Sequence, residues 1–253
     1  MKINMNKKDF LYIAGLIQSD VSIREHKGEI YLEIKSSRID MLNLFKKVLR
    51  KYVDNFYEKY YKKGHQVKIP SIKIYARITK NNFYFKDFQK LLEIKKDYTK
   101  IKNFISSQED ALWFFLGLFD GDGSYEIKPD LYIRIRITQR RRDFLEFVKE
   151  ILLRFGIACS VCKDGYSRDG KEKYAINILT TSVKEVSEFI ADNSKHTERK
   201  VRALIGLEIM KLKKVDINKA RELRKRLYDW IKFYKEKIRI YSKKGSITLK
   251  DFL

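Results

Sequence analysis

The sequence predicts an α+β protein: a helix-strand-strand-helix-strand-strand-helix unit in duplicate, followed by a helical C-terminal extension. Three observations predict it. Phe115 to Gly123 reads Phe-Leu-Gly-Leu-Phe-Asp-Gly-Asp-Gly, an apolar helix ending in two carboxylates between glycines, and Ile13 to Val21 (Ile-Ala-Gly-Leu-Ile-Gln-Ser-Asp-Val) repeats it in weaker form, with Asp20 and Asp122 102 residues apart. After each motif the apolar period alternates between that of strands and that of helices in the same order, the mark of an internal duplication. Finally, 56 Lys and Arg against 33 Asp and Glu give a net charge of +23. A neutral-substrate enzyme has no need of such an excess, whereas a polyanion rewards it by releasing counterions.

The first helix is predicted from Lys7 to Asp20. Asn6 can cap it, Asp9 suits its first turn, and Phe10, Leu11, Ile13, Ala14, Leu16 and Ile17 cover more than one stripe, which predicts a buried helix. Strands follow at Val21 to Arg24 and Glu29 to Lys35 around Lys27-Gly28; Ile30, Leu32 and Ile34 alternate with Tyr31, Glu33 and Lys35, so one face seeks a core. Helical period returns from Arg38 to Tyr52 through Ile39, Leu42, Phe45, Val48 and Leu49. Asp54 to Tyr61 and Ser71 to Thr79 read as strands with a turn at Lys63-Gly64, and a helix from Tyr84 to Leu92 closes the first unit, residues 1–94.

Residues 95–106 form a basic connector without the composition of a long flexible linker. The second unit, 107–211, opens on Ser107-Gln108-Glu109-Asp110, a helix start signal. Ser124 to Ile127 and Leu131 to Gln139 make a hairpin across Lys128-Pro129-Asp130. Phe144, Phe147, Val148, Ile151, Leu152 and Phe155 line a helix ending at Gly156. Strands at Ile157 to Lys163 and Glu172 to Thr180 precede a closing helix, Val183 to Ala191. Helices at Thr197 to Leu212 and Asn218 to Ile240 lie outside the repeat; the second is basic and amphipathic, and either packs across the second unit or adds a basic arm within the extension, 212–253.

Other classes are disfavoured. No apolar signal core opens the chain and no window nears the ~20 apolar residues of a membrane span, so a soluble, cytoplasmic protein is expected. An anionic membrane surface fits less well than nucleic acid, because no basic segment carries a lipid-facing stripe. Cys159 and Cys162 have C-x-x-C spacing but lie in a predicted strand, where they point to opposite faces, so two ordinary thiols are expected rather than a zinc or redox site.

The chemistry resides in the two motifs. A glycine inside a helix costs roughly 1 kcal/mol, which close approach of another backbone can offset, so Gly15 and Gly117 are expected to form a helix interface. That crossing would bring Asp20 and Asp122 together. Carboxylates so placed repel each other unless a cation intervenes, and a hard divalent ion, Mg²⁺ above all, suits oxygen ligands. In so basic a chain the fitting substrate is a phosphodiester with water as nucleophile. Candidate DNA-binding residues lie on the polar strand faces: Arg24, Tyr31, Glu33 and Lys35; Lys73, Tyr75 and Arg77; Tyr132, Arg134, Arg136 and Thr138; Lys173 and Asn177. Such faces can read base edges in a groove, although each strand taken singly also reads as an ordinary solvated face.

Phe115 to Gly123 and Ile13 to Val21, with the duplicated element order, resemble the single-chain LAGLIDADG homing endonucleases over roughly Lys7 to Lys211. The resemblance implies two pseudo-symmetric αββαββα units whose antiparallel sheets form a DNA-binding saddle. It also implies a monomer that cuts double-stranded DNA at a long pseudo-palindromic site, across the minor groove, with Mg²⁺ and 3′ overhangs, in the service of intron or intein mobility. By position, Asp20 and Asp122 match the family's metal-binding acids, Asp120 is structural, Gln139 and Arg140 match the strand end that organises water, and Lys95 and Lys195 match a basic residue past the closing helix. The first unit departs: Ser36 and Ser37 replace Gln139 and Arg140, Gln18 replaces the motif's first acid, and Val21 its last glycine, so one strand is expected to be cut more slowly. The departures keep two alternatives open, an RNA maturase acting on intron RNA and a DNA-binding or nicking protein of the same fold. A basic protein whose glycine-aspartate helices merely pack would show no Mg²⁺ dependence at all.

Overall fold

The computed structural model describes residues 3–61, 70–167 and 169–238. The expected turn at Lys63-Gly64 and the chain beyond Ile238 lie outside the described residues. The first unit comprises α1 (Lys7–Gln18), β1 (Ser22–His26), β2 (Glu29–Ser36), α2 (Ile39–Leu49), β3 (Phe56–Tyr61), β4 (Ser71–Ile78) and α3 (Phe85–Lys96). A 3₁₀ helix, Tyr98–Phe104, occupies the connector. The second unit repeats the order with α4 (Gln108–Asp122), β5 (Gly123–Ile127), β6 (Ile133–Gln139), α5 (Arg142–Arg154), β7 (Cys159–Tyr166), β8 (Glu172–Ile178) and α6 (Thr180–Asn193). Helices α7 (Thr197–Leu212) and α8 (Ile217–Ile238) follow.

Each unit holds one antiparallel four-stranded sheet, in the orders β1-β2-β4-β3 and β5-β6-β8-β7. Burial follows the alternation read from the sequence: Ile30, Leu32, Ile34, Ile74, Ala76 and Ile78 face the core of one unit, and Ile133, Ile135, Ile137, Ile176 and Ile178 that of the other. The first hairpin closes on Lys27 and Gly28, both at positive φ, as a two-residue turn requires to follow strand twist. The second is longer, with Leu131 at φ 64°, which is why β6 starts at Ile133 rather than Leu131. Helix α3 runs past Leu92 to Lys96 because nothing breaks it and Ile94 extends the buried stripe of Phe88 and Leu91. Strand β7 starts later than expected and continues to Tyr166, with an irregularity between Lys163 and Gly165.

The two motif helices form the centre. Asn6 caps α1 through its side-chain oxygen, and Ser107 and Asp110 complete a reciprocal capping box on α4. Asp110 also accepts from Lys7 at 2.6 Å, joining the two helix starts. Ser107→Ala is expected to lower stability by about 1 kcal/mol, read as a shift in the urea midpoint. Along the pair, a Cβ on Gly15 would sit against the Phe114 carbonyl and 2.6 Å from Leu118 N, and one on Gly117 would sit against the Tyr12 carbonyl and 3.1 Å from Gly15 Cα. The helices therefore run parallel and touch backbone to backbone.

The C-terminal helix packs across the second unit, with Leu227 and Ile231 buried. It also seals the free edge of β5: Arg224 Nε and Tyr228 OH donate to the Ile127 carbonyl at 2.8 and 3.2 Å, and Arg202 of α7 donates to that of Tyr125 at 3.0 Å. An edge strand so covered offers no template for another chain. Among the described residues no helix is long and apolar enough to cross a membrane.

Candidate active centre

Helix α1 ends just before Asp20 and α4 ends on Asp122, and the glycine crossing brings the two ends together. Asp122 Oδ2 accepts from the Gln139 amide at 2.9 Å, and the same amide donates to the Gln18 carbonyl at 3.1 Å. Burial, and then the charge of Asp20, push the Asp122 carboxyl up to about 6, against the pull of the Gln139 hydrogen bond and of the Arg199 and Lys95 cations. Burial raises Asp20 as well, opposed by Arg199 and Arg38. Two oxygen-donor carboxylates held above the usual carboxylate range at one helix joint are a donor set suited to a hard divalent cation.

Lys95 lies in the last turn of α3 rather than past it. Its ammonium donates to the Ile17 carbonyl, and burial and the neighbouring Arg141 lower its pKa while Asp122 raises it. Asp120 points inward and is fully buried, accepting from Tyr12 OH (2.7 Å), Ser194 OH (2.7 Å) and the Lys195 backbone (2.9 Å). It ties α4 to α1 and to the end of α6. Gln18 does the matching work for α1, donating to the Ile94 carbonyl at 2.9 Å, while Arg141 donates to its side-chain oxygen at 3.0 Å.

Two expected members stand elsewhere. Arg140, in the bend just past β6, is half-exposed and paired with Asp169 of the β7–β8 turn at 2.9 Å. The Lys195 ammonium lies 5.5 Å from the Trp113 ring centre, since its backbone is pinned to Asp120 and its side chain leaves on the far side. The Ser36 hydroxyl accepts from Arg38 N at 3.0 Å in the turn that leads into α2. Among the described residues no hydrogen bond or ion pair reaches the Asp20 carboxylate, so the two centres differ as Ser36 and Gln139 differ.

The sheet faces away from the core carry the expected DNA-binding residues except Tyr132, which precedes β6. On the first, Arg24, Tyr31 and Arg77 line up in register, as do Glu33 with Tyr75 and Lys35 with Lys73. Glu33 pairs with Lys73 (2.5 Å) and Arg24 (3.8 Å), Arg77 with Glu29, and Tyr75 stacks on Tyr57 at 5.1 Å. On the second, Arg136 bonds Asp164 (2.6 Å) and approaches Glu126 (3.5 Å), Arg134 lies 3.9 Å from Glu126, Thr138 Oγ lies 3.5 Å from Asp164, and Asn177 donates to Cys162 at 3.2 Å. Tyr132 is exposed beside the hairpin turn and Lys173 is half-buried opposite Gly165. Such solvent-facing pairs hold weakly, so a polyanion can displace their acids. Cys159 is buried and Cys162 exposed, on opposite faces of β7.

Sequence reasoning passed over Arg38, Arg141 and Arg199. The first two share a signal, since each is the last residue before α2 or α5. Arg199 has none, because α7 lies outside the repeated order.

Residues 109–204 match the sequence profile described as a LAGLIDADG-like domain. An uncharacterized protein of Methanocaldococcus jannaschii is 27% identical over 169 residues, 63% of this chain and 59% of the relative's length, so less than two thirds of that relative is spanned. Among solved structures, the homing endonuclease I-WcaI bound to its DNA recognition sequence matches with TM-score 0.54 at 13% identity, over 79% of this chain and 88% of its own. I-DmoI in complex with DNA and Ca matches with TM-score 0.51 at 16% identity, over 75% and 92%. At these identities the likeness concerns the fold.

Proposed function

We propose, from a chain whose residues 109–204 form a LAGLIDADG-like domain within a homing-endonuclease fold, that this protein is a site-specific double-stranded DNA endonuclease. The observation that carries the reading is the meeting of Asp20 and Asp122 at the ends of two crossed helices, where burial raises both and the charge of Asp20 raises Asp122 further, in a molecule with two basic, tyrosine-bearing sheets. Asp20 and Asp122 hold a divalent cation of the Mg²⁺ type, which when bound activates water and offsets charge on a phosphodiester. Gln139 fixes the rotamer of Asp122 and ties it to the end of α1 by donating to Asp122 and to the Gln18 carbonyl. Lys95 places a cation at Asp122, where negative charge accumulates as the phosphate is attacked. The sheet faces grip the backbone through Arg and Lys and read base edges through Arg134, Arg136 and Asn177. Cutting across the minor groove with 3′ overhangs is part of the proposal, as is action as a monomer on a long pseudo-palindromic site.

Selection from a randomised duplex library in Mg²⁺ tests it. One long site should be enriched and then linearised in a plasmid, with Asp122→Asn inactive. If no duplex is cut, or if Asp122→Asn cuts as well as wild type, the reading fails.

That no hydrogen bond or ion pair reaches the Asp20 carboxylate among the described residues favours unequal strand cutting. A nicked intermediate is expected to accumulate, and Ser36→Gln is expected to shorten its lifetime by about tenfold or more, the scale of one well-placed polar group. Gel analysis of supercoiled, nicked and linear plasmid over time checks this.

A further inference from the structure

Lys95 and Arg199 answer to one another across the pseudo-twofold axis. Lys95, from the last turn of α3, donates to the Ile17 carbonyl near the end of α1, in its own unit, and its charge faces Asp122 in the other. Arg199, from the first turn of α7, donates through Nη2 to the Gly121 carbonyl near the end of α4 at 2.7 Å. Its guanidinium lies 5.4 Å from the ring centre of Phe119, the residue that holds in α4 the place of Ile17 in α1. Cations are drawn to both positions by the unshared carbonyls of a helix C-terminus.

From there Arg199 reaches the other unit. Gly121 abuts the end of α1: a Cβ on it would press on the Ser19 hydroxyl and lie 3.4 Å from Asp20 N. The guanidinium therefore sits at the joint where Asp20 leaves its helix; the buried Asp120 carboxylate is the strongest charge on it, Asp20 the next negative one, and Arg38 opposes them from the start of α2. Arg199 is part-buried, and its buried Nη1 has no hydrogen-bond acceptor among the described residues. A buried guanidinium donor left unpaired is costly, and a fold that needed only a packing side chain here would not retain one.

We propose that Arg199 is the cation of the Asp20 centre, as Lys95 is at Asp122, so that each centre joins a carboxylate of one unit to a cation anchored in the other. Resting on the endonuclease reading, this makes Arg199 a positioning residue. It offsets charge at Asp20 and the adjoining phosphate, on the side where Ser36 leaves the carboxylate without an amide. Lys195, on the far side against Trp113, takes no part.

A duplex with its strands labelled separately tests this, Asp20→Asn and Asp122→Asn first showing which strand each centre cuts. Arg199→Met should slow the Asp20 strand about tenfold more than the other, the scale of losing one preorganised charge. Arg199→Lys should restore most of that rate, Lys95→Met should show the opposite bias, and Lys195→Met should leave both rates unchanged. Arg199→Gln keeps a donor for the Gly121 carbonyl and carries the test if the Met variant does not fold. Equal slowing of both strands, or a loss with Lys195→Met, overturns the proposal.

A second measurement needs no cutting. In an Asp122→Asn background at pH 8, titrated with Mn²⁺ alone, Arg199→Met should tighten binding by about threefold because a cation is removed from beside the remaining carboxylate, while Lys95→Met should not. An unchanged Mn²⁺ affinity with Arg199→Met overturns the placement even in a protein that cuts. A protein that cuts no DNA sinks the endonuclease reading and leaves the Mn²⁺ titration to decide the position of Arg199.

Discussion

Gly117→Ala is expected to destabilise the protein by about 3 kcal/mol, since overpacking against rigid backbone cannot relax by a rotamer change. The added methyl would sit against the Tyr12 carbonyl oxygen and 2.9 Å from its carbon. In an isolated helix the same change would gain about 1 kcal/mol, so the sign itself reports the crossing. Gly15→Ala meets the Phe114 carbonyl and Leu118 N and should behave alike. For a domain pair of this size such a loss lowers Tm by about 6–12 °C. Calorimetry checks it; either variant melting at or above wild type would mean that the helices do not touch there. A variant that still folds should also lose metal affinity, because parting the helices parts Asp20 from Asp122.

Asp122→Asn is expected to abolish cutting while stabilising the metal-free protein. The Asp122 carboxyl titrates near 6 in the fold, against about 3.9 in an unfolded chain. A raised acid opposes folding. Its cost is absent below about pH 4, where both states are protonated, grows as pH rises, and is complete above about pH 6. Two pKa units set an upper bound of about 3 kcal/mol, and partial solvent access brings the expected figure to ~1–2 kcal/mol at pH 8. Urea unfolding in EDTA should therefore show Asp122→Asn more stable than wild type at pH 8 and equal to it near pH 4. Mg²⁺ should reverse the order at pH 8, since it binds the folded wild type alone. The same substitution should lower cutting by at least ~10³-fold, the several kcal/mol that a metal ligand contributes to the transition state. Equal stabilities across the pH range would show that neither burial nor Asp20 raises the Asp122 carboxyl.

The element order was legible because each strand's alternation and each helix's stripe are local. Ile30, Leu32 and Ile34 suffice to orient β2, and the dense apolar run of α4 can only be a buried helix. The glycines were legible through their cost in a helix. Less legible were features fixed by distant chain. Nothing near Lys195 reveals that Asp120 pins its backbone and turns its ammonium toward Trp113. Arg140 and Gln139 are adjacent, and only the end of β6 between them decides that Gln139 reaches Asp122 while Arg140 turns to Asp169. Arg199 belongs to a helix with no counterpart in the first unit. The covering of β5 by α8 likewise depends on Arg224 and Tyr228 meeting one carbonyl from nearly a hundred residues away.

The backbone contact between Gly15 and Gly117 also sets a ruler. Helices that touch without intervening side chains have no slack, so the separation of Asp20 and Asp122 is a constant of the protein. For a duplex lying across both sheets, one base pair added at the middle of its site would carry the second phosphate about 3.4 Å along the axis and about 34° around it. No side-chain adjustment at the joint recovers such a screw displacement. The two halves of a target should therefore tolerate many changes of letter far better than a single change of spacing.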